Sequence, residues 1–354
     1  MKKLFDFKMA GSVLLMLAIS LASCKQDLTV QPNPSVERIA PEKVVDLDIQ
    51  GVKVKDGVLH FTDGKAFRNA IEILNNSNSL SYKAYCDKIG FKSQFILLDE
   101  AIDAINLMTD NVQFEAFKKA NSTLFKYEDE SIDLKMDYGL LAKLVDKDGL
   151  FYVDKTLNLY DKEGYIIILD GDKSKMEQAK LNRKNDVVKG VVIGNKNGKL
   201  QTRAACGVAP NTGWINNSSS NRRGILYAES QALEIFYGPY SSQKDVDFYA
   251  YFKGRAQKKS FGVWNDYSTD NWLNITCELT ANPNPDGSQG SVAVTKNFVN
   301  QQVSSTNTNL VTFLGVVNTW TNVASSTAFS ARPFNSINST YTNGGSVNAN
   351  LQCQ

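Results

Sequence analysis

Residues 150–169, LFYVDKTLNLYDKEGYIIIL, decide how the chain is expected to fold. Three apolar runs, Leu150–Val153, Thr156–Tyr160 and Tyr165–Leu169, are separated by Asp154-Lys155 and by residues 161–164. Short apolar runs bounded by turn residues are typical of strands, so this stretch predicts a three-stranded meander. Helical patterns dominate before it and strand patterns after it. The switch indicates an α+β protein.

The chain before the meander predicts a hairpin and then a group of helices. Val52–Lys55 and Val58–Phe61 flank the turn residues Asp56-Gly57, which is a hairpin signal. Apolar residues then recur at helical spacing. The predicted helices carry Phe67, Ala70, Ile71 and Leu74; residues 79–89; Leu98, Ile102 and Ile105; Phe114, Phe117 and Leu124; and Leu141, Leu144 and Val145. A surface helix is also predicted over Lys173–Leu181.

The chain after residue 200 has a different composition and predicts strands alone. Residues 201–354 hold all four Trp residues but only 10 of the 39 Lys and Arg residues. Short alternating runs with Gly, Asn and Pro turns favour a sandwich or barrel. We therefore predict a small N-terminal helical module with the hairpin and meander over 51–200. An all-β sandwich-like C-terminal domain is predicted over 201–354.

The first residues carry a targeting pattern. Lys2 and Lys3 precede an apolar run, Met9–Leu21, that is shorter than the about 20 residues of a membrane-spanning helix. The sequence Leu21-Ala22-Ser23-Cys24 then resembles the lipobox of bacterial lipoproteins. The resemblance implies cleavage of a signal peptide, residues 1–23, diacylglyceryl attachment to the Cys24 sulfur, and acylation of the new amino group by a fatty acid such as palmitate. Residues 24–50, with three prolines, are interpreted as the lipidated Cys and an extended linker tether.

The whole layout is similar to that of uncharacterised Bacteroidota outer-membrane and surface lipoproteins. This resemblance implies an envelope protein that is lipid-anchored to the outer membrane. Asp27 lies behind Lys25, so the sequence leaves the periplasmic face and the cell surface both open. The likeness assigns no functional residue beyond Cys24.

Four further cysteines lie in a compartment that permits disulfides. Cys277 and Cys353 stand beside apolar strand residues, which makes a Cys277–Cys353 bridge one candidate. A Cys206–Cys353 bridge is another, and a third reading makes all of these residues small buried side chains. Cys86, among the helices, is predicted to be a free core thiol.

Few catalytic classes fit the composition. His60 is the single histidine and is predicted to be structural or to lie at the surface. Nucleotide-binding, zinc-protease and serine-hydrolase motifs are missing from the sequence, so we predict no catalytic residue, no metal site and no cofactor. Residues 146–149 and 170–172 look like turns rather than calcium loops. A net charge of +2 gives no reason to expect nucleic acid as a partner.

An aromatic cluster in the C-terminal half is the candidate binding surface. Tyr249, Tyr251, Trp264 and Trp272 stand among polar residues, and Tyr249 and Tyr251 fall on the polar side of their strand. Exposed flat rings suit sugars or protein partners. The alternative is a second sandwich face that loops or the N-terminal module cover. The leading hypothesis is therefore a non-enzymatic envelope protein that binds a glycan or an envelope protein. A structural or adhesion subunit, or a carboxylate-dependent polysaccharide hydrolase, are the alternatives.

Overall fold

The structure is a computed structural model of the 354-residue chain. It describes residues 43–128, 131–136, 139–161, 163–195, 212–216, 219–236, 244–260, 263–266, 269–282, 292–305, 307–319, 330–343 and 347–353. From residue 265 onward the description is of the backbone. Within the described ranges, no helix combines the length and apolar character needed to cross a membrane.

The predicted hairpin and meander belong to one six-stranded sheet. Its strand order is β1-β2-β5-β6-β7-β8. The strands are β1 Val52–Lys55, β2 Val58–Phe61, β5 Leu150–Val153, β6 Thr156–Asp161, β7 Gly164–Ile168 and β8 Val191–Asn195. Asp56 and Gly57 both have positive φ, as the two-residue hairpin turn requires. The hairpin joins the meander through parallel pairing of β2 with β5.

Four helices lie between the hairpin and the meander. They are α1 Gly64–Asn76, α2 Ser79–Ile89, α3 Gln94–Leu107 and α4 Asn111–Ala120, and α5 Ser174–Asn182 follows β7. Asp63, Asn78, Ser93 and Asp110 cap the first four helices by accepting a backbone N–H in the first turn. The predicted fifth helix is instead a 3-10 turn over Gly139–Leu141, and Leu124 lies beyond the end of α4.

A seven-stranded sheet contains strands from both halves of the chain. Its order is β3-β4-β12-β11-β10-β9, and β15 also pairs with β11. The strands are β3 Phe125–Glu128, β4 Ser131–Leu134, β9 Ile215–Asn216, β10 Arg222–Phe236, β11 Lys244–Ser260, β12 Val263–Asp266 and β15 Asn307–Thr319. A four-stranded sheet has the order β14-β13-β16-β17, with β13 Thr269–Asn282, β14 Val292–Ser305, β16 Ser330–Asn343 and β17 Val347–Cys353.

The fold class is α+β, with helices first and β-sheets after them, as predicted. The prediction of short C-terminal strands was wrong, because β10 and β11 run for 15 and 17 residues. The sequence predicts two separate strands here, Gly224–Tyr227 and Leu233–Tyr237. In the structure, residues 222–236 form the single strand β10, which pairs with β11 along its whole length.

One hydrophobic core joins the helices to the long strands. Phe67 and Leu140 lie in the same buried cluster as Leu233, Tyr249 and Tyr251. Residues Glu42–Gln354 form one compact unit. Residues 51–200 and 201–354 therefore share a core. The domain boundaries inferred from composition remain predictions.

Candidate functional site

The predicted aromatic binding surface is largely buried. Tyr249 is fully buried, Tyr251 is 4% exposed and Trp264 is 7% exposed. A buried ring cannot receive a sugar or a protein partner without unpacking the core, so the prediction was wrong for these three residues. Trp272 lies on β13, and its side chain is outside the description.

The N-terminal module covers the face that carries Tyr249 and Tyr251. The Tyr249 hydroxyl donates to Asp247, which is in turn held by Arg68 of α1. A Cβ added at Gly139 would lie 3.0 Å from the Tyr251 hydroxyl, so backbone of the N-terminal module packs on that ring. The alternation in β11 therefore marks two buried faces, and the second face is closed by the helices.

A buried ion-pair cluster, Arg68, Asp245 and Asp247, fastens α1 to β11. The Arg68 Nε lies 2.8 Å from Asp247 Oδ2, and its Nη2 contacts Asp245. Burial raises the pKa of Asp247 to about 7, because desolvation and the neighbouring Asp245 outweigh the attraction of Arg68. The cluster thus places a carboxyl group that titrates near neutral pH between the helices and the sheet.

The β-strand carboxylates that are described also have structural roles. Glu234 accepts a hydrogen bond from the Tyr165 hydroxyl, and its backbone carbonyl accepts one from Tyr160 at 2.7 Å. Asp245 and Asp247 are held by Arg68. A carboxylate-dependent hydrolase would need acidic residues such as these three, and in the structure they tie the two segments of the chain together.

The strand register bears on the candidate Cys277–Cys353 bridge. Cys277 of β13 and Cys353 of β17 both pair with Ile337 of β16, one from each side. With neighbouring strands about 4.8 Å apart, the two Cα atoms are about 10 Å apart, whereas a disulfide needs roughly 4.4–6.8 Å. This register argues against that bridge.

The other cysteines divide between described and undescribed parts of the chain. Cys86 is a buried free thiol, as predicted, and burial raises its pKa to about 11. Cys24 and Cys206 lie outside the described residues.

The residues once compared with calcium loops form turns. Asp146 Oδ1 accepts hydrogen bonds from the backbone N–H groups of Asp148 and Leu150. Asp170 Oδ1 accepts one from the N–H of Asp172 at 3.2 Å. Among the residues that the structure describes, no three His, Cys, Asp or Glu side chains converge as metal ligands.

A groove lies at one end of the six-stranded sheet, between three loops. We call it the turn groove. Its walls are the β1–β2 turn at Lys55-Asp56, the β5–β6 turn at Asp154-Lys155, and the residues 170–173 between β7 and α5. It encloses about 290 Å³, near the lower end of the roughly 300–1,000 Å³ that small-molecule sites occupy.

The floor of the turn groove is a pair of stacked rings. His60 of β2 and Tyr152 of β5 are direct partners in the parallel register, and their rings stack at 4.1 Å with an angle of 12°. The Tyr152 hydroxyl donates to the Gly171 carbonyl at 3.2 Å, which fixes the tyrosine ring. Val58 is buried beside them. The register thus places two half-buried rings face to face at the base of the groove.

Charged side chains surround these rings. Lys55, Lys155 and Lys173 line the groove, and within the described ranges none of them has a carboxylate within 4.0 Å. Asp170 is paired with Lys175, outside the groove lining. The lining therefore carries three ammonium groups and three carboxylates, those of Asp56, Asp154 and Asp170.

His60 is half-buried in β2 and stacked on Tyr152, which agrees with the predicted structural or surface position. Burial lowers its pKa first, and Lys55 and Lys53 lower it further, while Asp56 raises it by less. These effects favour the neutral form of the ring. Burial, and then the carboxylates of Asp56, Asp172 and Asp146, raise the pKa of the stacked Tyr152. Sequence reasoning missed this site, since His60 and Tyr152 are 92 residues apart and only the parallel pairing of β2 with β5 brings them together.

The chain is thus an α+β protein with a polar groove at the turns of its six-stranded sheet. No protein-family model matches it, and no curated protein matches it either. Among solved structures, it is similar to a crystal structure of a DUF4848 family protein from Bacteroides thetaiotaomicron. That match has 16% identity and a TM-score of 0.29, and it covers 85% of this chain and 99% of the other. A TM-score this low does not relate the two folds.

Proposed function

We propose that this protein is an envelope lipoprotein, held to the outer membrane through Cys24, whose body binds a ligand and does not catalyse a reaction. The observation that carries the proposal is the lipobox Leu21-Ala22-Ser23-Cys24 after a short apolar run. Several acyl chains on one residue anchor a protein stably, whereas one chain holds it only reversibly. Residues 45–49 of the predicted tether pack on the body, since Ile49 lies in its core and the Val45 N–H donates to Ser81. The linker that displays the body in water beside the membrane is therefore the part of the tether before these residues.

Two features of the body support a binding role. The carboxylates of Asp245, Asp247 and Glu234, which a carboxylate-dependent hydrolase could use, are engaged with Arg68 or Tyr165 inside the fold. The turn groove, by contrast, is open, and three lysines and three aspartates line it beside the stacked rings of His60 and Tyr152. Its chemistry suits the holding of a small polar ligand, and the aromatic face of β11 is no longer part of the proposal.

The anchoring is tested by replacing the lipidated residue. In cells that process lipoproteins, Cys24→Ser is expected to lose incorporation of labelled palmitate and to move from the detergent phase to the aqueous phase. Cys86→Ser is the matched control, and it should keep both properties. Unchanged palmitate labelling and detergent partition in Cys24→Ser would reject the proposed anchor.

A second measurement tests the compartment and the lack of turnover. Protease shaving of whole cells is expected to remove the body if the protein faces the medium and to spare it if the protein faces the periplasm. Either result is compatible with anchoring, while recovery in the cytoplasmic fraction would contradict it. Turnover of a polysaccharide panel that is lost on one Asp or Glu substitution would contradict the non-catalytic assignment.

A further inference from the structure

Exposed apolar side chains gather at one end of the helices. Among the residues that the structure describes, eight large apolar side chains are exposed, and three of them belong to α5 and the turn after it. The other five come from the segment before β1 and from α2, α3 and α4. We call them the helix-end patch: Val44, Val45, Leu80, Leu107 and Val112. Single exposed apolar residues are ordinary, whereas a group of them among polar residues marks a contact with a protein or a membrane.

The pairing of α2 with α3 brings Leu80 and Leu107 to the same end of these two helices. Residues 90–93 alone connect the helices, and Lys83 of α2 forms an ion pair with Asp99 of α3, so the two run antiparallel. At equal rise per residue from this pair, α3 continues past the start of α2 by about one turn. Leu107, the last residue of α3, therefore lies at the end where α2 begins, and Leu80 is in the first turn of α2.

The first described residues of the chain lie at this end too. The side-chain amide of Asn78, which caps α2, donates to the Lys43 carbonyl at 3.3 Å. The Val45 N–H donates to Ser81 Oγ at 2.8 Å. Val44 and Val45 therefore lie beside the first turn of α2.

The start of α4 carries Val112 to the same place. The Thr109 N–H donates to the Gln113 side-chain carbonyl at 3.1 Å, which closes the short connection between α3 and α4. Val112 is in the first turn of α4 and is 80% exposed, and Leu107 is 82% exposed. The two side chains thus add to the patch from either side of one tight connection.

The chain that leads to the predicted anchor begins beside the helix-end patch. Residues 25–42 separate Cys24 from Lys43, and these 18 residues span at most about 65 Å. An anchored Cys24 therefore holds this end of the body near the lipid. A second contact between linked partners forms at an effective concentration on the order of millimolar, so even a weak apolar contact is populated.

We propose that the helix-end patch rests on the lipid surface to which Cys24 is anchored. Its five side chains enter the boundary between headgroups and acyl chains. The exposed charges beside them, Lys43, Asp103 and Glu115, have mixed sign, so the contact is apolar rather than electrostatic. This inference deepens the proposed function by stating which end of the body faces the membrane, and it rests on that function for the anchor.

Vesicle binding of the unlipidated protein tests this surface. The full mature chain with Cys24→Ser is mixed with phosphatidylcholine vesicles at millimolar lipid, and bound protein is measured by flotation. The protein is expected to bind weakly and to bind equally at low and at high salt, because salt screens charge pairs and not apolar burial. Failure to bind at millimolar lipid would overturn the proposal, and so would binding that high salt removes.

A double variant locates the contact. Leu107→Gln with Val112→Gln is expected to lower the partition coefficient about tenfold, because each apolar side chain that enters the lipid contributes a few-fold. Leu181→Gln with Val188→Gln is the matched control, since the same residue types are 86% and 99% exposed there and lie outside the patch. Thermal unfolding shows whether each variant keeps the fold. Equal effects of the two double variants on vesicle binding would overturn the location.

Two further measurements separate the remaining outcomes. Self-association in sedimentation that Leu107→Gln with Val112→Gln abolishes, without vesicle binding, would assign the patch to a second copy of the chain and overturn the proposal. Palmitate labelling of the unaltered protein tests the anchor by itself. Lost labelling with vesicle binding kept would reject the proposed function and leave this surface supported. Labelling kept with vesicle binding absent would reject this surface alone.

Discussion

Asp247 illustrates how one buried side chain can set a pH response. Its folded pKa of about 7 lies above the ordinary value for Asp of about 3.9. The folded protein therefore binds a proton that the unfolded chain does not bind between these two values. Protonated Asp247 raises the free energy of unfolding at low pH. This contribution is lost as the pH rises towards 7.

We expect Asp247→Asn to remove this pH dependence. The difference in free energy of unfolding between the unaltered protein and the variant should change by about 2–3 kcal/mol between pH 8 and pH 5. The change should favour the unaltered protein at pH 5. Urea unfolding at the two pH values measures the difference, and other titrating groups cancel between the two proteins. Asp46→Asn is the control, because Asp46 is exposed and pairs only with Lys88 at the surface. A variant that keeps the full pH dependence would show that another group is responsible.

Lys143 is a second buried charged residue, and it closes the end of α1. Its Nζ donates to the carbonyls of Leu74 at 2.8 Å and Ser77 at 3.3 Å, and it lies 4.9 Å from the Tyr82 ring centre. Burial lowers its pKa to about 7, while these acceptors favour the ammonium form.

We expect Lys143→Met to lower the free energy of unfolding by about 2–3 kcal/mol, because buried carbonyls lose their donor. Lys147→Met, at an exposed position four residues on, should change it by less than about 0.5 kcal/mol. Urea unfolding of both variants at pH 6 compares the two positions. Equal losses would mean that the hydrogen bonds to α1 contribute little.

At the scale of the elements, the turn groove depends on a close approach between two loops. Gly171 has φ of +70°, and a Cβ there would lie 2.4 Å from the Lys155 carbonyl oxygen. Gly57 has a similar φ of +76° but no atom within 4 Å of such a Cβ. Comparing alanine substitutions at these two glycines therefore distinguishes the cost of a positive φ from the cost of a steric clash.

We expect Gly57→Ala to destabilise the protein by about 1 kcal/mol, from the left-handed conformation alone. Gly171→Ala should cost about twice as much or more, since the loops must also move apart. Thermal unfolding of the two variants measures the difference. Equal destabilisation by both substitutions would show that the loops separate freely.

The register of the four-stranded sheet leads to a prediction about disulfides. Ile337 pairs with Cys277 on one side and Cys353 on the other, so a whole strand separates the two cysteines. We expect peptide mapping of the unreduced protein to find no Cys277–Cys353 link. Finding that link would require β16 to leave its place between β13 and β17.

The elements that the sequence predicted well are those whose signals are local. The β1–β2 hairpin follows from Asp56-Gly57, and α1 follows from its apolar spacing and its Asp63 cap. The strand β16 was missed because residues 330–343 are mostly polar and include Pro333, which is rare inside strands. The length of β10 was missed because Glu229–Gln231 interrupts its apolar pattern, although pairing with β11 continues through it.

The site could not be predicted for a related reason. The alternating pattern in β11 predicts which residues share a face of the strand. It does not predict whether α1 covers the face that carries Tyr249 and Tyr251. The turn groove needs a parallel pairing across 92 residues, from His60 to Tyr152. Non-local pairing of this kind leaves no periodic mark in the sequence.

At the scale of the whole molecule, the shared core predicts cooperative unfolding. Arg68 of α1 contacts β11, and Tyr160 of β6 exchanges hydrogen bonds with Glu234 of β10. Arg255 of β11 contacts Asp133 of β4 at 2.6 Å. These contacts make residues 51–200 and 201–354 depend on each other, although their compositions differ.

The distribution of tryptophan allows this to be measured. All four Trp residues lie after residue 200, so their fluorescence reports the C-terminal segment, while helical circular dichroism is dominated by α1–α4 of the N-terminal segment. We expect both signals to change at the same urea concentration, as in a two-state transition. Arg68→Met should lower that midpoint equally for both, because it leaves two buried carboxylates without their guanidinium partner. Lys88→Met, at the surface of α2, should shift neither. Two separate midpoints, with Arg68→Met moving only one, would instead show two domains that fold independently on either side of residue 200.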